Sequence, residues 1–415
     1  MPKTFQIHTL GCKLNYSESS HIARELQALG FENAPNPDYF ILNTCTVTSV
    51  AEKKARSLVA QWHRNNPKTE IIIIGCFPAR DKALVAQLPG VTKVFGSEDK
   101  MNIIPYLKSQ ISNPKSQISI PPFFATYSSE DRTRSFLKIQ DGCDYHCAYC
   151  AVARARGNSR SDTIENVLQN LEKIAQLDYK EVVLTGVNTG DFGRKNGETF
   201  EQLLKKIDKT KLIERVRISS IEPNLLTDEI ISLFANSNIL MPHFHIPLQS
   251  GSDAVLAAMK RRYKTELFAD KVHQIKSAMP HACIAMDVIS GFPAETEENF
   301  EETVLFLSRL PVSYLHVFSY SKRPNTPAAE MKPQVKDSVK KERTKILLQL
   351  SETRKTAFYN EHLHTTRKVL FEDDVKNGMI FGFTDNYIRV SAPFNQQFIN
   401  QIIITPVIPA KAGIP

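Results

Sequence analysis

Apolar residues in the first hundred positions follow two alternating patterns. Short apolar runs predict strands at residues 5–10, 38–43 and 70–74. Between them, residues 17–29 and 47–65 repeat apolar positions with the helical period, and Gly30 follows the first of these helices as a stop signal. Strands that alternate with helices are typical of a parallel sheet covered by helices. We therefore expect an N-terminal open parallel α/β sheet domain over residues 1–107.

A second alternation of strands and helices begins near residue 134. Strands are predicted at 136–139, 181–185, 216–219, 243–246, 283–289 and 314–318. Helical periodicity separates them, for example at 163–175, 200–207 and 297–308. Six such strand–helix units predict a partial (β/α)6 barrel, open along one side, within a central domain at residues 131–361.

The remaining segments predict a linker, a small β module and a tail. Residues 108–130 repeat the unit Lys-Ser-Gln-Ile-Ser and then carry two prolines, which favours a flexible linker. A long charged helix is expected at 337–363, followed by a C-terminal β module at 362–405 with short strands and an Asn-Gly turn at 377–378. The proline-containing end, 406–415, is predicted to be disordered.

Composition narrows the class of protein. The chain has 415 residues, of which 42% are hydrophobic and 23% charged, as in globular proteins of about three domains. No apolar run is long enough for a membrane span and the start lacks a secretory apolar region, so we expect a cytoplasmic protein with reduced thiols and no membrane partner. The net charge of +8 (52 minus 44) is compatible with a polyanionic partner such as RNA.

The most informative motif is a cluster of three cysteines. Cys143, Cys147 and Cys150 are spaced Cys-x3-Cys-x2-Cys. Structural zinc sites need four ligands, usually from two Cys-x2-Cys halves, and no second half follows here. Three thiolates could instead hold three irons of a [4Fe–4S] cluster and leave the fourth iron open to a small molecule. The alternative is three unrelated buried thiols. The spacing resembles the signature of radical S-adenosylmethionine (radical-SAM) enzymes.

Three other cysteines occupy matching places in the N-terminal pattern. Cys12, Cys45 and Cys76 each follow one of the predicted strands. The carboxyl ends of parallel strands lie at one edge of the sheet, where ligands bind, so these side chains could meet there. This placement predicts a second site with three thiolates. The alternative is that each cysteine is a small buried residue in its own turn.

Four further motifs support a resemblance to one enzyme family. They are Ala-Arg-Gly-Asn-Ser-Arg-Ser at 155–161, Ser-Ser-Ile-Glu-Pro at 219–223, His-Ile-Pro-Leu-Gln-Ser-Gly at 245–251 and Gly-Phe-Pro-Ala-Glu-Thr at 291–296. With the six cysteines, they make the chain resemble the radical-SAM methylthiotransferases over nearly its whole length. The resemblance implies a central radical-SAM barrel, a C-terminal module of the TRAM type, here truncated, and an auxiliary [4Fe–4S] cluster on Cys12, Cys45 and Cys76.

The start of the chain points to one branch of this family. Leu-Gly-Cys-Lys-Leu-Asn-Tyr-Ser-Glu-Ser at 10–19 is most similar to the branch acting on N6-threonylcarbamoyladenosine in tRNA. The resemblance implies methylthiolation of C2 of that nucleoside, 3′ of the anticodon. The cofactors would be two [4Fe–4S] clusters and S-adenosylmethionine. The partners would be tRNA, a small flavodoxin- or ferredoxin-like electron donor and a sulfur donor.

Other functions stay open at this stage. Sister branches of the family act on isopentenyladenosine in tRNA or on a ribosomal-protein aspartate. A non-catalytic iron–sulfur RNA-binding protein is also compatible with the sequence. That alternative rests on the shortened end and on Ala-Val-Ala at 151–153, where the family commonly has Ile-x-Pro.

Further site residues follow from the resemblance and from charge. Tyr149, Gly186, Glu222 and Gln249 are candidates for binding S-adenosylmethionine, against ordinary packing or loop roles. Basic side chains near these motifs are candidate RNA contacts, against a merely solvated charged surface: Arg154, Arg156, Arg160, Lys260, Arg261 and Arg262.

Overall fold

The N-terminal domain is a five-stranded parallel sheet with helices on both faces. The computed structural model describes residues 2–111, 123, 125–129 and 133–410. The sheet order is β2-β1-β3-β4-β5. Its elements are β1 (Thr4–Thr9), α1 (Lys13–Ala28), β2 (Glu32–Asn33), β3 (Tyr39–Thr44), α2 (Ser49–Asn65), β4 (Glu70–Gly75), α3 (Cys76–Arg80), α4 (Lys82–Ala86), β5 (Val91–Phe95) and α5 (Ile103–Ser109).

The central strands of this sheet are buried on both faces. In β3, Tyr39 and Ile41 pack in one apolar cluster, and Phe40 and Leu42 pack in another on the opposite face. Strands covered on both faces have near-continuous apolar runs, which is why β1, β3 and β4 were predictable from sequence. The sequence did not predict the edge strands β2 and β5, because they are short or carry exposed polar residues such as Lys93.

The central domain is the predicted partial barrel. Strands β7, β10 and β11 pair in parallel, as do β12, β13 and β14, and a parallel bridge between Ser220 and His245 joins the two sets. The elements are β6 (Thr126–Tyr127), β7 (Arg134–Lys138), β8 (Gln140–Asp141), α6 (Val152–Arg156), β9 (Arg160–Ser161), α7 (Ile164–Gln176), β10 (Glu181–Thr185), α8 (Phe200–Thr210), β11 (Arg215–Ile218), α9 (Asp228–Asn236), β12 (His243–His245), α10 (Asp253–Ala258), α11 (Thr265–Ala278), β13 (Cys283–Ser290), α12 (Glu297–Arg309) and β14 (Tyr314–Ser319). The prediction of an α/β barrel with six parallel strands is confirmed.

The C-terminal module is a four-stranded antiparallel sheet of order β17-β16-β15-β18. It follows two helices, and the elements are α13 (Pro327–Glu330), α14 (Asp337–Glu361), β15 (Thr366–Lys376), β16 (Met379–Thr384), β17 (Arg389–Pro393) and β18 (Ile402–Pro406). The expected C-terminal β module is therefore present. It packs at the end of the barrel where β11 begins, because Arg215 donates hydrogen bonds to the carbonyls of Lys368 and Phe383 at 2.6 and 3.1 Å.

The predicted disorder of residues 406–415 is wrong for the part that the structure describes. Pro406 ends β18, and Val407 is 1% exposed and packs in the core of the module. Pro409 forms an antiparallel bridge with Val390. An apolar side chain between the prolines holds this segment against the sheet edge, where proline is tolerated. Residues 411–415 lie outside the described range.

The predicted linker, residues 108–130, contains regular structure near both of its ends. Helix α5 continues to Ser109, and β6 pairs antiparallel with β7. Most of the residues between them lie outside the described range. The domain boundaries therefore stay predictions from the sequence. No helix of the described residues has both the length and the apolar character of a membrane span.

Arg215→Met should weaken the docking of the C-terminal module. The methionine keeps most of the volume but leaves two carbonyls without their donor, and Arg215 is almost fully buried. We expect the free energy of unfolding in urea to fall by about 2–4 kcal/mol. Arg309→Met, at an exposed position at the end of α12, is the control and should change it by less than about 0.5 kcal/mol. Equal effects of the two substitutions would contradict this docking role.

Candidate functional site

The first three cysteines lie at one edge of the N-terminal sheet. Cys12 caps the N-terminus of α1 directly after β1, Cys45 follows β3, and Cys76 is the first residue of α3 after β4. These three strands are neighbours and run parallel, so their carboxyl ends meet. The structure thus places Cys12, Cys45 and Cys76 together, as the strand pattern predicted.

Gly11 allows the loop before Cys12 to approach Cys45. Its φ of +114° is in the region that favours glycine, and a Cβ at this position would lie 2.8 Å from the Cβ of Cys45. Burial raises the pKa of the Cys45 thiol to about 11, and the neighbouring thiols of Cys76 and Cys12 act in the same direction. The turn that carries Cys12 therefore lies directly against Cys45.

The second group of cysteines lies in the loop that follows the first barrel strand. Cys143, Cys147 and Cys150 stand between β8 and α6, at the carboxyl-terminal mouth of the barrel. The backbone N–H of Tyr145 donates to Cys143 Sγ and that of Val152 to Cys150 Sγ, each at 3.4 Å. Burial raises the pKa of Cys143 to about 12 and also raises the pKa values of Cys147 and Cys150.

Each group brings together three thiols, whose thiolates are the ligands that iron–sulfur clusters take. Among the described residues, no three His, Cys, Asp or Glu side chains are placed to hold one metal ion. An iron–sulfur cube binds each thiolate through a different iron, so its ligands lie further apart than ligands that share one ion. Buried thiols with raised pKa values become thiolates only beside a cation, which iron would supply.

Arg261 connects the second cysteine group to two of the predicted cofactor residues. Its guanidinium donates to Cys147 Sγ at 3.1 Å and to the Tyr149 hydroxyl at 3.4 Å, and it forms an ion pair with Glu222. Hydrogen bonds to cluster sulfurs raise the reduction potential of a cluster, and outer contacts of this kind orient its ligands. The prediction of Arg261 as a candidate RNA contact is wrong, because its side chain is only 3% exposed.

Comparison with known proteins identifies the family. The radical SAM superfamily matches residues 137–307, and the uncharacterized protein family UPF0004 matches residues 4–96. The threonylcarbamoyladenosine tRNA methylthiotransferase MtaB of Bacillus subtilis is 37% identical over an alignment covering 99% of this chain and 95% of that protein. The tRNA-2-methylthio-N(6)-dimethylallyladenosine synthase of Aquifex aeolicus is 31% identical, with 98% and 96% covered. The chain belongs to the radical-SAM methylthiotransferase family.

A solved structure agrees with this assignment at the level of fold. The radical S-adenosylmethionine methyltransferase TsrM from Kitasatospora setae, with tryptophan and an S-adenosylmethionine analogue bound, has a TM-score of 0.60 and 12% identity. The match covers 79% of this chain and 75% of that chain. Membership of the radical SAM superfamily confirms S-adenosylmethionine and iron–sulfur clusters as cofactors of the methylthiotransferase.

The other two cofactor candidates of the methylthiotransferase lie on different barrel segments. Gly186 directly follows β10, and a Cβ there would lie 2.8 Å from Gln140 Oε1, beside the cysteine loop. Gln249 is buried with a φ of +71°, and its backbone pairs with Asp287 and Ile289 of β13. Gly186 therefore lies near the second cysteine group, whereas Gln249 lies on the opposite half of the barrel.

The predicted RNA contacts divide into exposed and buried side chains. Arg154, Lys260 and Arg262 are exposed. Arg160 is half-buried and pairs with Asp141 at 3.0 Å. Arg156 is 2% exposed, so the prediction that it contacts RNA is wrong; its guanidinium is enclosed between the two domains.

Arg156 belongs to a buried charge network that sequence reasoning missed. We call this network the Glu18 cluster; it consists of Asn15, Glu18, Lys100, Lys138, Asp141 and Arg156. Glu18 has no solvent exposure and receives Lys100 Nζ at 2.5 Å, Lys138 Nζ at 3.0 Å and Arg156 Nη1 at 3.3 Å. Its members come from distant parts of the chain, so no local motif marks it.

Charge compensation in the Glu18 cluster outweighs the cost of burial for the carboxylate. Burial by itself would raise the pKa of Glu18, but Arg156, Lys100 and Lys138 hold that pKa well below its ordinary value. The cluster joins α1 and the residues before α5 to β7 and α6. It therefore fixes the N-terminal cysteine group relative to the barrel mouth.

Glu18→Gln should destabilise the folded protein strongly. The substitution leaves three buried cations with less compensation, and we expect the free energy of unfolding at pH 7 to fall by about 3–5 kcal/mol. Because the folded-state pKa of Glu18 is depressed, its contribution is present above the ordinary carboxyl pKa and is lost at lower pH. The difference from wild type should therefore shrink below about pH 4.

Glu25→Gln is the matched control for urea unfolding, because Glu25 is exposed on the same helix. Its effect should stay within about 0.5 kcal/mol at every pH. If the two variants had the same free energy of unfolding, the Glu18 cluster would add nothing to the stability of the fold.

Proposed function

We propose that this chain methylthiolates C2 of N6-threonylcarbamoyladenosine, 3′ of the anticodon in tRNA. The observation that carries the proposal is the 37% identity to a threonylcarbamoyladenosine tRNA methylthiotransferase along nearly the whole of both chains. Two groups of three cysteines at two sheet edges support it, because sulfur insertion by a radical mechanism needs a radical source and a sulfur carrier.

Each cysteine group has a distinct proposed role. Cys143, Cys147 and Cys150 would hold the cluster at the barrel mouth, and Cys12, Cys45 and Cys76 would hold the auxiliary cluster. When bound, the first cluster would supply the electron that cleaves S-adenosylmethionine, and the auxiliary cluster would supply the sulfur that is transferred. The chain's own part is to bind the ligands, orient them and exclude water.

The residues around Cys147 would orient S-adenosylmethionine. Arg261 holds Glu222 and Tyr149 at fixed positions next to the cysteine loop. Tyr149 offers an aromatic ring for the adenine, and Glu222 a carboxylate for an ammonium or a hydroxyl. Gly186 lets the backbone pack closely against Gln140, since a Cβ there would lie 2.8 Å from Gln140 Oε1, and this backbone would approach the methionine part. Gln249 is a further proposed contact to S-adenosylmethionine or to substrate.

Exposed cations near the mouth would bind the RNA backbone. Arg154, Lys260 and Arg262 are exposed close in sequence to site residues, and phosphate contacts of this kind make binding sensitive to salt. We place the reaction in the cytoplasm. A small flavodoxin- or ferredoxin-like protein would donate electrons, and a separate donor would replenish the sulfur.

The substrate assignment is tested with two matched tRNAs, one bearing and one lacking the threonylcarbamoyl group. The reconstituted enzyme, with S-adenosylmethionine and a reductant, should form a methylthio nucleoside only from the modified tRNA. Mass spectrometry of the digested tRNA measures this product. If a methylthio product formed from isopentenyladenosine or on a ribosomal protein instead, the chain would have the activity of a sister branch of the family. A reduced protein that does not cleave S-adenosylmethionine would be a non-catalytic binding protein.

Substitution of one N-terminal cysteine should separate the two sites. Cys45→Ser removes a ligand of the auxiliary cluster, so the iron content should fall from about eight to about four per chain. Cleavage of S-adenosylmethionine should continue, while methylthiolation of tRNA should be lost. Iron analysis and detection of 5′-deoxyadenosine measure these effects.

Cys283→Ala is the control, because Cys283 is buried in β13 and belongs to neither cysteine group. Its iron content should equal that of the wild type. If Cys45→Ser abolished cleavage of S-adenosylmethionine without changing the iron content, the two-site assignment would be wrong.

A further inference from the structure

A cavity of about 320 Å³ inside the barrel extends from the N-terminal cysteine group. Cys12 and Lys13 line one end of it, and Phe136 and Val183 line its wall. Arg217 and Tyr387 line the part nearest the C-terminal module. The volume is in the range of small-ligand sites in proteins. The cavity is therefore continuous with the place where the auxiliary cluster would be held.

Two guanidinium groups in the cavity wall are already bound by protein acceptors. Arg217 pairs with Glu181 at 2.7 Å and donates to the carbonyls of Thr384 and Asp385 at 2.8 and 2.9 Å. Arg134 pairs with Glu372 at 2.9 Å and donates to the Tyr387 hydroxyl at 3.3 Å. These groups close the end of the cavity and are not free to bind a ligand strongly.

Lys13 differs from these two cations. Its side chain keeps accessible surface although α1 packs against the barrel, and it lines the cavity. Among the described residues, its ammonium has neither an ion-pair partner nor a hydrogen-bond acceptor. It lies within electrostatic range of Arg134, Arg217 and Glu181, so two guanidinium groups and one carboxylate act on it. An anionic group of a ligand would therefore be attracted to this end of the cavity.

The wall also contains an unsatisfied polar atom. Nδ1 of His243 is buried and has no hydrogen-bond partner among the residues that the structure describes. His243 lines the same cavity. Buried polar atoms are rarely left unpaired, so a polar ligand atom in the cavity would give this nitrogen a hydrogen-bond partner. The cavity thus offers a cation and an unpaired ring nitrogen in one half-open space.

The geometry points to a binding site for the N6 side chain of the substrate. The threonylcarbamoyl group carries one carboxylate and one hydroxyl. C6 of adenine, which bears this group, is separated from C2 by N1. When C2 faces the space between the two cysteine groups, the side chain leaves the ring from a different position and has the cavity beside Cys12 available. A carboxylate there would pair with the Lys13 ammonium.

We propose that Lys13 binds the carboxylate of this side chain and selects an adenosine with an acidic N6 substituent over one with an apolar substituent. The inference rests on the proposed function, since that function supplies the substrate. Lys13 is a specificity-determining residue in this arrangement, and the cavity in the barrel is the subsite.

The experiment measures binding of anticodon stem-loop RNAs to reconstituted enzyme. Three RNAs are compared: one with threonylcarbamoyladenosine, one with the methyl ester of its carboxylate, and one with unmodified adenosine. A charge-assisted contact predicts that wild type binds the acid roughly 10- to 100-fold more tightly than the ester. Lys13→Met should remove this preference, and Lys13→Arg should retain most of it.

Lys173→Met is the control for general RNA electrostatics, because Lys173 is exposed on α7. It should leave the preference for the acid unchanged. The iron content of Lys13→Met should match that of the wild type, which separates loss of the contact from loss of the neighbouring Cys12 ligand.

Two results would overturn the inference. One is equal weakening of all three RNAs by Lys13→Met, which would assign Lys13 to a phosphate contact. The other is an unchanged preference for the acid in that variant. Failure of the proposed function is distinguishable, because the wild type would then form no methylthio product from the acid-bearing RNA, whatever the binding data show.

Discussion

Glu18 places a fully buried carboxylate at the junction of the two larger domains. Lys100 reaches it from the N-terminal domain, and Lys138 and Arg156 reach it from the barrel. A buried charge is tolerated only when its partners are close and well oriented, so any displacement of one domain against the other carries a large energetic penalty. The relative position of the two cysteine groups depends on this contact.

The same network also fixes the cysteine loop of the barrel. Asp141 stands two residues before Cys143, and Arg156 stands six residues after Cys150; the two side chains pair at 2.9 Å. Arg156 also donates to Asn15 Oδ1 at 2.5 Å, three residues after Cys12. One guanidinium therefore closes the base of one ligand loop and contacts the helix that begins at the other. The loop from Cys143 to Cys150 is therefore held by this guanidinium, although Ala-Val-Ala at 151–153 lacks the proline that is common in the family.

The sequence predicted those parts of the structure that have a local or periodic signal. Strands buried on both faces, the six barrel strands and the positions of Cys12, Cys45 and Cys76 after three strands were all correctly placed. It failed where a side chain's environment depends on distant residues. Arg156 and Arg261 look like surface cations in their local sequence, yet carboxylates from remote segments bury both. Glu18 likewise has no local feature that distinguishes it from exposed glutamates.

Charged residues have different roles on the surface and in the interior of this protein. The formal charge of +8 suggests an RNA surface, but several of the arginines are buried and compensated inside. Arg134, Arg215 and Arg217 all lie near Glu181 at the closed end of the barrel. A three-to-one excess of guanidinium over this carboxylate leaves a positive potential in the adjoining cavity, partly offset by Glu372. Arg134 and Arg217, which hold the C-terminal module, thus also form part of the cavity wall, so the docking of the module and the shape of the cavity depend on the same side chains.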